Sequence, residues 1–224
     1  MSRHFAVVGS FIMRGLIGKK LGMTSVFDGD GRQVAVTIVE CGPCVVLQRK
    51  ERDIDGYESV QLGYGDVKES RLSKPEMGCF RKSKIAPKKY RHEFALEEGD
   101  GLKVGDVVTV KLFDGIGYVD VGGVTKGKGF QGVVRRYHMK GGPMTHGGHS
   151  KRRVGSVGCR ELPGRIHKGK RMPGHMGDVH ITQQNLKVVQ VRPEENMILV
   201  GGAVPGADGS IITVRKALKK VKTK

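Results

Sequence analysis

Residues 24–48 read TSVFDGDGRQVAVTIVECGPCVVLQ. Asp28-Gly29-Asp30-Gly31 separates two runs rich in β-branched side chains, which is a strong hairpin signal. Gln33 to Glu40 alternates apolar and polar residues, so one face of that strand is expected in a core. Gly42-Pro43 turns the chain again before Val45 to Gln48. Working outward, further strand patterns appear at Tyr57 to Gly63, Glu93 to Leu96, Asp106 to Leu112 and Tyr118 to Val124. They return at Leu186 to Val191, Met197 to Val200 and Ile211 to Val214, with a hairpin over Arg192 to Asn196. Short strands at such close spacing predict a β-barrel or sandwich. Residues 66–92 differ: they are basic, hold Pro75, Gly78 and Pro87, and include Ser73-Lys74-Pro75-Glu76. A Ser cap with Pro in the first turn predicts a short helix there.

One segment does not fit a barrel. Residues 126–171 read KGKGFQGVVRRYHMKGGPMTHGGHSKRRVGSVGCRELPGRIHKGKR, with 13 Lys or Arg, 11 Gly and one acid, Glu161, in 46 residues. It has too few large apolar side chains to bury a core of its own against the entropy of ordering it. It carries +12 of the formal net charge of +18, so the basicity is focused rather than spread. A long cationic, glycine-rich arm predicts a polyanionic partner, and RNA is the polyanion that fits.

Other readings of the chain are weaker. No run of 18 apolar residues predicts a membrane span. The opening MSRHFAVVGSFIMRG lacks a cleavage pattern and is not expected to act as a signal peptide. Cys41-Gly42-Pro43-Cys44 matches the dithiol of thiol-disulfide oxidoreductases, the alternative function kept open here. That chemistry needs the first thiol at a helix N-terminus, whereas β patterns flank this one. Cys79 and Cys159 are isolated, so no zinc site is expected. Gly127-Lys128-Gly129-Phe130-Gln131-Gly132 fits a dinucleotide fingerprint. No acid follows at the distance a ribose contact requires, and no βαβ unit surrounds it. Its glycines are read instead as letting the backbone approach RNA phosphates. His146 and His149 have ligand-like spacing, but nothing nearby completes a metal site, and no constellation for catalysis is found.

Within the arm, Arg135, Arg136, Arg152, Arg153, Arg160, Arg165 and Arg171 are expected to fork onto phosphates and stack on bases. Lys126, Lys128, Lys140, Lys151, Lys168 and Lys170 are expected to act as point charges, and His146 and His149 to contact bases or phosphates. Phe130 and Tyr137 are the segment's only aromatics. Readout of folded RNA by backbone and shape is therefore expected rather than stacking on single strands.

Several motifs together resemble the bacterial large-subunit ribosomal protein L-three family. They are MRGLIGKKLGMT (13–24), Gly42-Pro43 with Val45 to Gln48, KGKGFQG (126–132), His146-Gly147, Pro163-Gly164-Arg165, KGKRM (168–172) and GGAVPG (201–206). The resemblance implies a mainly β protein with an α+β insertion. A small closed Greek-key β-barrel of translation-protein type would carry a long basic non-globular extension loop. The implied division is an N-terminal extension (1–12), a barrel core (13–65 with 93–125 and 173–214) and a basic insertion (66–92). An RNA-binding extension (126–172) and a basic tail (215–224) complete it. It further implies a structural, non-enzymatic, cytoplasmic component of the ribosome with no cofactor, membrane partner or small-molecule substrate. Its partners would be large-subunit ribosomal RNA and neighbouring large-subunit proteins. The arm would reach toward the peptidyl-transferase centre, and binding would nucleate subunit assembly. Some members carry a modified Gln after the position of Gly155 to Gly158. Cys159-Arg160-Glu161 stands here, so that modification is not expected.

Overall fold

A computed structural model describes residues 15–96 and 102–220. Its strands are β1 (Gly15–Phe27), β2 (Gln33–Cys41), β3 (Cys44–Lys50), β4 (Ser59–Asp66), β5 (Lys88–Ala95) and β6 (Val107–Val108). They continue with β7 (Tyr118–Val124), β8 (Phe130–Gln131), β9 (Gly174–His175), β10 (His180–Arg192), β11 (Met197–Gly201) and β12 (Ile211–Lys216). The α-helices are α1 (Arg52–Asp55), α2 (Lys74–Ser83) and α3 (Val133–Tyr137). The mainly β expectation holds. The chain divides into two units: Val124–His180, and the remainder on either side of it.

In the larger unit, the strands run β1-β12-β7-β10-β11-β2, and β2 pairs back on β1, so the sheet closes. The long strand β1 makes this closure possible. Its first residues, Gly15 to Lys19, pair with β12, while Gly18 to Phe27 pair with β2, with a register shift between Lys20 and Gly22. Alternation along the strands sends Leu16, Val39, Val121, Ile198, Val200 and Val214 inward, each at most 1 % exposed. Burying such a side chain fully contributes about 1.5–3 kcal/mol. The same core continues into a second sheet, β5-β4-β3-β6, through Val46, Val60, Leu62 and Phe94.

Two buried charges are satisfied by backbone. Lys20, 6 % exposed, donates from Nζ to Val204 O (3.3 Å) and Gly206 O (3.1 Å), with Asp208 at 3.6 Å. Asp120 accepts from the N–H groups of Asn185 (2.7 Å) and Leu218 (3.3 Å). The α2 start also follows its sequence signal. Ser73 donates from N–H and Oγ to Glu76 Oε2 at 3.1 and 2.8 Å, which holds the Glu76 carboxyl below its ordinary range.

Several boundaries differ from expectation. Val45 to Gln48 and Ser59 to Gly63, assigned to the barrel core within 13–65, lie in the second sheet, as does Glu93 to Ala95, while Tyr57 and Glu58 precede β4. Period-two alternation shows that a face is buried but not which sheet it joins. Asp106 to Leu112 is not one strand: β6 covers only Val107–Val108, and Val110–Phe113 is a 3-10 turn that buries Val110 and Phe113. Residues 173–179, placed in the barrel, belong to the smaller unit. The basic tail begins later than residue 215. Arg215 and Lys216 end β12, and Ala217 is buried with its N–H on Tyr118 O (3.2 Å). The proposed extension at 1–12 and residues 221–224 lie outside the described residues.

Candidate nucleic-acid interface

The smaller unit is an excursion of the chain between β7 and β10, which are neighbours in the barrel sheet. It starts as a two-stranded stem. Thr125 N–H donates to Val179 O (3.0 Å) and Asp178 N–H to Thr125 O (3.2 Å). Lys128 N–H donates to Met176 O (2.8 Å), Met176 N–H to Gly129 O (3.0 Å), and β8 pairs with β9 beyond them. Gly177 permits this: its φ is +78°, and a Cβ there would clash with Lys126 O. The apparent dinucleotide fingerprint is thus one strand of the stem and the start of a five-residue helix. It is not an open loop of free N–H groups, because the Lys128 N–H is committed to Met176. That narrows the reading of its glycines as a backbone phosphate cradle.

Beyond the stem the unit is nearly coreless. Val133 is its only buried residue among those described. Lys126, Lys128, Arg135, Lys140, His146, His149, Lys151, Arg152, Arg153, Arg160, Arg165, Lys168, Lys170 and Arg171 are all exposed. No ion pair among the described residues involves a Lys or Arg of 126–171. Among the described residues the charge is therefore not neutralised, and the single acid of the arm, Glu161, is itself exposed. Such an array raises the local concentration of a polyanion and gains free energy from released counterions.

The arm has some internal order. Gly142 N–H donates to Lys151 O (3.1 Å) and Arg153 N–H to Ser150 O (3.2 Å), so Lys151 to Arg153 lie beside residues 140–142. His146 and His149 fall in the loop closed by that contact. Among the described residues no group of three or more His, Cys, Asp or Glu side chains is gathered to hold a metal. Arg135 leans on Gln131 Oε1 (3.4 Å). Residues 160–170 are brought to no shared cluster beyond a turn closed by Lys170 N–H on His167 O (3.2 Å).

Arg136 is the exception among the expected contacts. It is half-buried, and its Nη1 donates to Met172 O at 2.7 Å. Its guanidinium lies 4.9 Å from the Tyr137 ring centroid, and Arg171 covers the same ring at 5.5 Å. A Cβ at Gly174 would sit 2.7 Å from Arg136 Nη1, so glycine there leaves room for the guanidinium. Arg136 therefore joins the two ends of the arm. Its adjacency to Tyr137 was visible in the sequence, but its partner is 36 residues away. The sequence reading also passed over exposed apolar side chains on the arm: Met144 (60 %), Leu162 (82 %) and, although noted as an aromatic, Phe130 (78 %). They offer flat or apolar surface beside the cations.

The dithiol is of another kind. Cys41 and Cys44 are fully buried between β2 and β3, and Cys44 Sγ donates to Ile17 O (3.5 Å). Burial raises the Cys41 pKa well above the ordinary thiol value and pushes that of Cys44 up to about 11. A redox thiol needs the opposite shift and access to a substrate disulfide. No helix among the described residues is long and apolar enough to cross a membrane.

The family model for ribosomal protein L3 matches residues 93–196. The large ribosomal subunit protein uL3 of Brachyspira hyodysenteriae is 50 % identical over 208 residues, covering 93 % of this chain and 96 % of that protein. The uL3 of Brachyspira pilosicoli is likewise 50 % identical, covering 93 % and 95 %. The chain belongs to the ribosomal protein L3 family.

Proposed function

We propose that the chain is a structural constituent of the large ribosomal subunit that binds large-subunit ribosomal RNA directly. It is not an enzyme. It neutralises phosphate and holds RNA helices in place, helps nucleate subunit assembly, and extends its arm toward the peptidyl-transferase centre. In this reading the closed sheet is a Greek-key barrel of translation-protein type that anchors the stem. The exposed Lys, Arg and His side chains of 126–171 are the RNA contacts, and neighbouring large-subunit proteins pack on the remaining surface. The observation that carries the reading is an arm whose cations face solvent without a single carboxylate partner among the described residues. A folded protein gains nothing from that arrangement alone, whereas RNA binding does.

The test is sedimentation. An integral component stays with large subunits through a high-salt wash, and its loss stalls assembly before a mature subunit forms. A protein that washes off quantitatively and cycles on and off ribosomes is a translation factor instead, and the reading fails.

A further inference from the structure

The larger unit carries a cationic groove lined by residues outside the arm. It opens between β5 and the barrel strands β1 and β12 and has a volume of about 370 Å3. Ile17, Ile211 and Thr213 form one side, and Lys89, Tyr90, Arg91 and His92 the other. Because β5 is the edge strand of its sheet, no further strand covers this side.

Two permanent cations, Lys89 and Arg91, line the groove, a third, Arg215, reaches it through the lining residue His92, and an aromatic ring lies against each. Lys89 Nζ lies 5.1 Å from the Tyr90 ring, Arg91 5.7 Å from Phe80 and Arg215 5.7 Å from Phe94. Arg215 Nη2 is also 3.2 Å from His92 Nε2, and His92 packs edge-on against Phe94 at 5.0 Å. The neighbouring carboxylates are engaged elsewhere as well: Glu76 accepts from Arg91 Nη2 at 2.8 Å while it also takes both Ser73 donors, and Asp120, the cross-strand neighbour of Arg215, accepts from the N–H groups of Asn185 and Leu218. Lys89 and Arg215 form no ion pair with any described carboxylate. Rings fix the cations in place without neutralising them, and two rings, Tyr90 and His92, line the cavity itself. The volume is at the lower end for a small-ligand site, which suits one nucleotide. Phosphate recognition by cations and base stacking on an aromatic face are the two elements of RNA strand binding.

We propose that this groove takes one nucleotide of an RNA strand, with its phosphate on Lys89 and Arg215 and its base against Tyr90 and His92. The inference rests on the RNA-binding reading of the chain but adds a second contact, carried by the larger unit. The larger unit then grips RNA independently, and the arm is not the sole anchor.

The test uses the full chain, the double variant Lys89→Gln/Arg215→Gln and the single variant Lys89→Glu. Binding to large-subunit ribosomal RNA is measured across a salt series, and hydroxyl-radical footprints are taken. The double variant is expected to lower the slope of log K against log salt by about 0.7, from the one lost single-strand phosphate contact. One short protected segment should disappear while the remaining footprint persists. Lys89→Glu reverses a charge outside the core, so it reports even if Arg215→Gln destabilises the fold; it should weaken binding and lose the same segment. An unchanged slope and footprint in both variants overturns the proposal. If the native chain fails to bind the RNA at all, the broader reading fails, and a titration with inorganic phosphate separates the two. Shifts of the Tyr90 and His92 ring resonances, absent in the double variant, would then mark an anion site and overturn the RNA assignment.

Discussion

Replacing Arg136 by leucine should loosen the base of the arm without unfolding the barrel. The side chain makes a charged-donor hydrogen bond to Met172 O at 2.7 Å and lies 4.9 Å from the Tyr137 ring. A hydrogen bond from a charged group contributes about 1.5–3 kcal/mol, and half exposure puts this one at the lower end. A partly exposed cation–ring contact adds about 0.5–1 kcal/mol. The loss is therefore about 2 kcal/mol of local stability, or roughly 30-fold more frequent opening. Native-state amide exchange reads this directly at Lys128 N–H and Met176 N–H, which are bonded to Met176 O and Gly129 O. Barrel amides such as those of Ile38 and Leu199, paired across β2 and β11, should exchange as before. Arg136→Lys keeps the charge but not the planar fork, so it should also speed exchange in the stem while leaving the salt dependence of RNA binding in place. Stem amides that change by less than about twofold in Arg136→Leu would refute the clasp and return Arg136 to the set of RNA contacts.

Other outcomes follow from the same geometry. Ser73→Ala should cost about 1 kcal/mol by removing the cap of α2, lowering the thermal midpoint by about 2–4 °C. Thiol labelling of the native protein should modify Cys79 and Cys159, which are exposed, and reach Cys41 and Cys44 only on unfolding; fast labelling of all four would contradict the buried pair. Those two thiols also set an alkaline limit. Their folded pKa values are raised, to about 11 for Cys44, so the unfolded chain releases these protons first as pH rises. Their contribution is fully present below about pH 9, the ordinary thiol value, and is lost as pH climbs toward 11, measurable as a falling denaturation midpoint that Cys44→Ala should flatten. Gly177→Ala forces a Cβ onto Lys126 O at positive φ and should break the stem, seen as fast exchange at Thr125 and Lys128 with barrel amides unaffected.

The parts of this fold that were legible in the sequence are those set by local chemistry. Asp28 to Gly31 specifies its hairpin because a glycine-rich turn suits tightly joined strands, and it joins β1 to β2 as expected. Ser73 and Glu76 announce α2 three residues apart, within reach of each other's polar groups. Gly42-Pro43 marks the end of β2, but nothing local says that β3 leaves the barrel for a second sheet, since its partners are at Val60 and Val107. Val110 to Leu112 reads as the continuation of a strand because its apolar spacing suits either state; only tertiary packing makes it part of a 3-10 turn. In the arm, composition identified the exposed cations one by one, since charge density needs no pairing information. Arg136 escaped because its role depends on Met172 O and on the space at Gly174, neither of which its neighbours in sequence disclose. The groove beside Tyr90 was hidden for a similar reason: β5, β1 and β12 meet there from three distant parts of the chain.

The central claim is that the arm supplies most of the electrostatic contact with RNA. The direct measurement is the salt dependence of binding to large-subunit ribosomal RNA, comparing the full chain with one in which residues 126–171 are replaced by a short Gly/Ser linker. With the barrel still folded by circular dichroism, the account predicts weaker binding and a slope shallower by several units, since each lost phosphate contact removes about 0.7–0.9. A folded, arm-free protein that keeps the full slope would contradict it.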